Sequence, residues 1–240
     1  YVNGTGKISV TDHEPPVLTG PAASVTTSKP AITWKAVAGA LRYDVLLRNL
    51  SSGIEQLYTG ITKTTFTRTE PLGIGQYRVY VRAIDQLERA GFWSSLRDFK
   101  VETAPKITAP VIKPQVGSTF PEISWTAVID AAGYELVVHN ATTGKKNVIS
   151  EKNLKTTSFR STQSLGSGTY TAYVRAFNAK KEFGKWTPAY SFTVLGTPTM
   201  LTPVSGGTFD RIPLISWTAV AGATSYDVHL SNRTTGEIVF

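Results

Sequence analysis

The sequence predicts an all-β protein built from tandem β-sandwiches, and three observations carry that expectation. Three stretches are copies of one another: Pro30-Ala-Ile-Thr-Trp34-Lys-Ala-Val-Ala-Gly39, Pro121-Glu-Ile-Ser-Trp125-Thr-Ala-Val-Ile-Asp130 and Pro213-Leu-Ile-Ser-Trp217-Thr-Ala-Val-Ala-Gly222. Short segments of alternating apolar and polar residues, separated by Gly, Pro, Ser and Thr turns, fill the chain, and helical periodicity is nearly absent. The three Trp residues stand 91 and 92 positions apart, so the unit is a whole small domain with its own core rather than a solenoid turn.

The period divides the 240 residues into pieces. Residues 16–103 and 104–195 are complete copies, and residues 196–240 are the N-terminal half of a further one. Tyr1–Val10 aligns with Phe92–Val101 and Lys185–Val194, so residues 1–15 read as the last strand of a preceding copy plus a linker. Such a chain is expected to be a window on a longer array, in which residues 196–240 do not form an independent domain. The linkers are short and contain proline: Glu14-Pro15-Pro16, Ala104-Pro105 with Ala109-Pro110, and Gly196-Thr197-Pro198. Proline limits backbone freedom, which predicts semi-rigid joints.

Within each copy the strands follow from alternation. The early strand carries Trp34, Trp125 or Trp217 toward the core. About nine residues later comes a Tyr-acidic-apolar strand: Tyr43-Asp44-Val45, Tyr134-Glu135-Leu136, Tyr226-Asp227-Val228. There Tyr43, Val45 and Leu47 share the inward face. In a later strand Tyr77, Val79, Val81 and Ala83 point inward while Arg78, Tyr80 and Arg82 point outward. The second copy repeats this with Tyr170, Ala172, Val174 and Ala176 inward and Thr171, Tyr173 and Arg175 outward.

A core Trp, a Tyr about nine residues on, and then Leu72-Gly-Ile-Gly-Gln-Tyr77 to Ala83, repeated as Leu165-Gly-Ser-Gly-Thr-Tyr170 to Ala176, resembles the fibronectin type III pattern. The resemblance implies immunoglobulin-like sandwiches joined end to end. Trp34, Trp125 and Trp217 would fill the sandwich centres from strand B, and Tyr77 and Tyr170 would make tyrosine corners across the E–F turn. The Trp-Thr-Ala-Val-x-Gly-Ala-x-x-Tyr consensus is most similar to the tandem repeats of large secreted bacterial surface proteins. No Arg-Gly-Asp occurs, so integrin binding is not carried over.

Composition narrows function. The chain is 41% apolar, enough for domains of this size to bury independent cores. It has no cysteine and no run of 18 apolar residues, so no membrane span is expected in this stretch. The net charge of +8 is scattered apart from Lys180, Lys181 and Lys185, which does not make the basic stripe that nucleic acid needs. The three histidines, His13, His139 and His229, share no position between copies. Catalysis or zinc binding requires converging groups, so neither an enzyme site nor a cofactor is expected. One carboxylate per copy is too few for calcium.

Candidate surface residues remain. Strand C runs antiparallel to strand F, so Asp44 should meet Arg82, and Glu135 should meet Arg175, as exposed pairs contributing about 0.2–1 kcal/mol each. Trp93 and Trp186 follow those arginines by eleven residues and should lie beside them, with Tyr80 and Tyr173 on the same outer face. This weakly resembles the Trp-Ser/Arg ladder of cytokine-receptor domains, of which Gly91-Phe-Trp-Ser-Ser95 carries half. The readings are a contact surface for sugar or protein, or a cation–π stack internal to the domain. Asn3, Asn49, Asn140 and Asn232 head glycosylation-type sequons, and turn chemistry alone also explains Asn, Thr and Gly at those places.

The expectation is a non-catalytic array of sandwiches serving as a stalk, spacer or fibre segment of a large extracellular or cell-surface protein. Its partners would be neighbouring repeats, other copies in a fibre, or a cell-surface protein or glycan. An adhesin or carbohydrate-binding module, and a spacer attached to a secreted polysaccharide-degrading enzyme, are the alternatives.

Overall fold

The computed structural model describes residues 14–110, 120–208, 213–220 and 223–238. The strand expected over Tyr1–Val10, His13 and the sequon at Asn3 lie outside the described residues. No helix of the chain is long and apolar enough to cross a membrane among the described residues.

Eight strands build the first unit: β1 (Leu18–Gly20), β2 (Ser24–Val25), β3 (Ile32–Trp34), β4 (Ala40–Asn49), β5 (Glu55–Ile61), β6 (Thr65–Phe66), β7 (Gly75–Asp85) and β8 (Arg97–Val101). They form two sheets, β1-β3-β6 and β2-β8-β7-β4-β5. In sandwich nomenclature these are A-B-E and A′-G-F-C-C′. Strand A divides: β1 pairs antiparallel with β3, and after a cis Gly20-Pro21 bond β2 joins the opposite sheet parallel to β8. A proline has no N–H to give to a ladder, so it marks the crossing point.

Seven strands are seen among the described residues of the second: β9 (Ile107–Ala109), β10 (Glu122–Trp125), β11 (Gly133–Asn140), β12 (Ile149–Leu154), β13 (Ser158–Arg160), β14 (Gly168–Phe177) and β15 (Tyr190–Val194). Their sheets, β13-β10-β9 and β12-β11-β14-β15, repeat the same order. One reading of the linker is corrected here. Ala109-Pro110 is not part of it, because Ile107 and Ala109 already pair with Trp125 and Ser124, so the proline ends strand A.

Each unit packs its own core. One comprises residues between Leu18 and Val101, with Val45, Val79, Val81 and Val101 fully buried. The other runs from Ile107 to Val194 around Ile123, Leu136, Val138 and Val174. Along β7 the burial alternates from Tyr77 to Ala83 as the sheet period demands, and β14 does the same. Trp34 and Trp125 are each 4% exposed and meet Tyr43 and Tyr134 at ring separations of 5.3 and 5.6 Å. Neither buried indole N–H has an acceptor among the described residues.

The third copy is thinner. Its described strands are β16 (Met200–Thr202) and β17 (Ser216–Trp217), which pair as strands A and B do elsewhere. The expected strands C and C′ reduce to an isolated bridge between Ser231 and Ile238. Trp217 and Tyr226 still pack at 5.4 Å but are half-buried, and Leu214 and Ile238 are exposed.

Candidate functional site

The outer face of the C-F-G sheet carries the candidate surface residues. Register pairs Asp44 with Arg82 and Glu135 with Arg175. Arg82 Nε donates to Asp44 Oδ2 at 3.0 Å, and Arg175 Nε donates to Glu135 Oε2 at 2.9 Å. Neither pair is the exposed one expected: Glu135–Arg175 is part-buried, and Asp44–Arg82 is covered more deeply. Asp44 is only 3% exposed, and the arginine bonded to it lies under the ring of Trp93, 4.7 Å from its centroid. Arg175 is gripped from two sides, by Trp186 at 4.5 Å and by Phe183 at 4.0 Å.

The residue after each Trp completes the ladder. Ser94 Oγ accepts from Val81 N, and Thr187 Oγ1 accepts from Val174 N, both at 3.1 Å. These buried hydroxyls tie the segment before strand G onto strand F, fixing each Trp over its arginine. Trp93 is half-buried and Trp186 is 37% exposed. Tyr80 and Tyr173 are half-buried on the same face, opposite Leu46 and Val137, and Tyr173 lies 5.6 Å from the ring of His139.

The tyrosine-corner geometry is present in both complete copies. Tyr77 donates its hydroxyl to Gly73 O at 3.0 Å, and Tyr170 donates to Gly166 O at 2.8 Å. Burial pushes the Tyr77 phenol up to about 12, with Asp130 adding to the effect, and burial raises Tyr170 as well.

The three described sequon asparagines each act as turn acceptors. Asn49 Oδ1 takes Ser51 N at 2.8 Å, Asn140 Oδ1 takes Thr143 N at 2.9 Å and Asn232 Oδ1 takes Thr234 N at 2.9 Å. The C–C′ turn then closes through glycine in the left-handed region, Gly53 at φ 81° and Gly144 and Gly236 at φ 74°.

No group of three or more potential metal ligands gathers among the described residues. His139 Nδ1 accepts from Asn147 N at 3.0 Å, a contact within its own sheet edge. A cleft beside strand A is lined by Pro15, Pro16, Val17, Leu18, Ser95, Leu96 and Arg97. Arg97 is its one charged residue, and its guanidinium is already bonded to Leu18 O and Pro21 O. Among the described residues no acid or base lines that crevice.

Two features escape the sequence reading. The strand-C tyrosines are more than core filling. Tyr43, Tyr134 and Tyr226 each accept, through the hydroxyl, the N–H of a valine six residues earlier: Val37 at 2.9 Å, Val128 at 3.0 Å and Val220 at 2.7 Å. The fixed Val-to-Tyr spacing in all three copies was the available signal. The second is a contact between the two sandwiches at Ile74, which has no repeated counterpart because the second copy carries Ser167 there.

No protein-family model and no curated protein sequence matches the chain. Among solved structures, a two fibronectin type III domain segment from chicken tenascin is similar with a TM-score of 0.54 at 15% identity, covering 76% of this chain and 99% of that one. The FN1–FN3 domains of chicken CNTN1 align over 75% of this chain and 66% of theirs at 17% identity, with a TM-score of 0.30. With its strand order, its tyrosine corners and its likeness to the tenascin pair, the chain has the tandem β-sandwich fold of fibronectin type III domains.

Proposed function

We propose that this chain is a non-catalytic structural segment, a stalk or spacer within a large extracellular or cell-surface protein. The observation that supports it most is how the repeated side chains are used. Trp34 and Trp125 fill the cores, Tyr77 and Tyr170 close the E–F turns, and Arg82 and Arg175 are held between a carboxylate and a Trp. What recurs between the copies therefore builds the sandwich itself. Each sandwich would add roughly 35 Å of length if strands of about ten residues rise about 3.3 Å apiece.

An antibody raised against the chain, applied with immunogold to intact cells that produce it, tests this reading. Label standing away from the cell envelope is expected. Label that appears only after permeabilisation would overturn it.

The exposure of Trp186 favours a second reading, in which this face binds a glycan or a cell-surface protein. Saccharide-array binding abolished by Trp186→Ala would support it. The Arg175 stack already covers part of the ring, which is why the structural role is preferred.

A further inference from the structure

The E–F loop of the first sandwich and the F–G hairpin of the second meet in a contact that the repeat pattern does not contain. Ile74, the last residue of the first E–F loop before β7, is 2% exposed and belongs to the core cluster of the second sandwich rather than its own. Its carbonyl oxygen accepts a hydrogen bond from Asn178 Nδ2 at 3.0 Å. Asn178 is 6% exposed, and its Nδ2 also donates to Glu182 Oε2 at 2.6 Å, while its Oδ1 holds the hairpin by accepting from Lys180 N and Glu182 N. Glu182 in turn accepts from Ser51 Oγ of the first sandwich. At the edge, Lys185 N donates to Glu102 O at 3.3 Å and Lys185 Nζ lies 3.6 Å from the Glu102 carboxylate.

Backbone stripped of side chain brings these groups together. A Cβ on Gly184 would collide with the carbonyl oxygen of Thr103 and lie 2.9 Å from Ile74 Cδ1. A Cβ on Gly73 would overlap the side chain of Asp130. Asp130 sits at φ 56°, where the first copy has Gly39 at φ 76°, a conformation that Asp tolerates better than most residues.

The corresponding places elsewhere in the chain differ. The second E–F loop has Ser167 in place of Ile74, and a Cβ on its Gly166 would meet nothing within 4 Å. The first F–G hairpin has Asp85 and Arg89 in place of Asn178 and Glu182, with Gly91 in the place of Gly184. Linked domains move relative to one another by default unless their interface is large and hydrophobic. This one combines a buried apolar plug, a buried amide with its bonds directed across the joint, and a close backbone approach.

We propose that Ile74 and the Asn178–Gly184 hairpin form a keyed joint that holds these two sandwiches in one relative orientation, and that the key fits this neighbour alone. Repeats of such an array are then ordered rather than interchangeable. The inference deepens the spacer reading by assigning the partner of this surface, the adjoining sandwich. It is measured on the isolated chain, so its failure and that of the extracellular placement are separate results.

The chain has no cysteine, so Thr59→Cys and Lys152→Cys, both exposed and one on each sandwich, give a single spin-label pair for pulsed dipolar spectroscopy. A narrow distance distribution is expected for the labelled chain. Ile74→Ser, a residue the second copy already accommodates in the same loop, and Gly184→Ala should each broaden it at least about twofold by freeing the joint. Ser167→Ala, in the unkeyed loop, should leave it unchanged. A distribution already as broad in the labelled parent, or one that stays narrow in both joint variants, overturns the proposal.

Discussion

The hydroxyl of Tyr43 accepts the backbone N–H of Val37 at 2.9 Å, across the turn that joins strands B and C. Strand B ends at Trp34 and strand C begins at Ala40, so the bond spans a turn whose buried tyrosine ring also touches that Trp. One side chain thus supplies core volume and the acceptor for an otherwise unpaired turn amide. Tyr43→Phe and Tyr134→Phe should each lower stability by about 1–3 kcal/mol, because a part-buried donor loses its acceptor while the ring volume is kept. Denaturant midpoints at unchanged slope would show this; a variant as stable as the parent would contradict it.

The tyrosine corner makes a pH-dependent prediction. The Tyr77 phenol rises from 10.0 to about 12 in the folded protein. The unfolded chain therefore gives up this proton first, and the stabilisation is fully present below pH 10. It is lost as pH climbs from 10 toward 12. Tyr77→Phe should cost about 1–2 kcal/mol at neutral pH through the bond to Gly73 and should flatten the decline above pH 10. Unfolding curves of parent and variant across that range are the measurement, and parallel declines would refute the assignment.

Trp34→Ala and Trp125→Ala should each destabilise their own sandwich by about 3–5 kcal/mol, close to the whole stability of a small domain. Calorimetry should show one transition shifted far down while the other moves less. Ready access of a fluorescence quencher to either indole in the folded parent would speak against their burial.

The Asp44–Arg82 pair should behave as a buried pair. Arg82→Met leaves a carboxylate that is almost inaccessible to solvent without its partner, at a cost of about 3 kcal/mol. Adding Asp44→Asn removes the stranded charge, so the double variant should recover much of the loss. A double variant no more stable than Arg82→Met alone would show that the charge is solvated after all.

Residues 196–240 should be the first to yield to protease. Leu214, Met200 and Ile238 are exposed, and Trp217 is only half-buried. Limited digestion is expected to leave a resistant fragment ending near Leu195, whereas cuts between the first two sandwiches ahead of the third copy would reverse that order.

The sequence by itself determined the sandwich. The spacing of Trp34, Trp125 and Trp217, the alternation from Tyr77 to Ala83, and the Leu-Gly-x-Gly-x-Tyr run name strands, inward faces and corners because those contacts lie within one copy and recur in the next. The register that sets Asp44 against Arg82 and Glu135 against Arg175 followed from the same topology. How deeply Asp44 is covered did not, since burial depends on the Trp93 stack and its neighbours rather than on alternation. The division of strand A at Pro21 and the early strand at Ile107–Ala109 were decided by which ladders find a partner. Only the tertiary structure revealed the joint at Ile74. An isoleucine in a Gly-flanked loop has no periodic signature, and what gives it a role is a hairpin more than a hundred residues away.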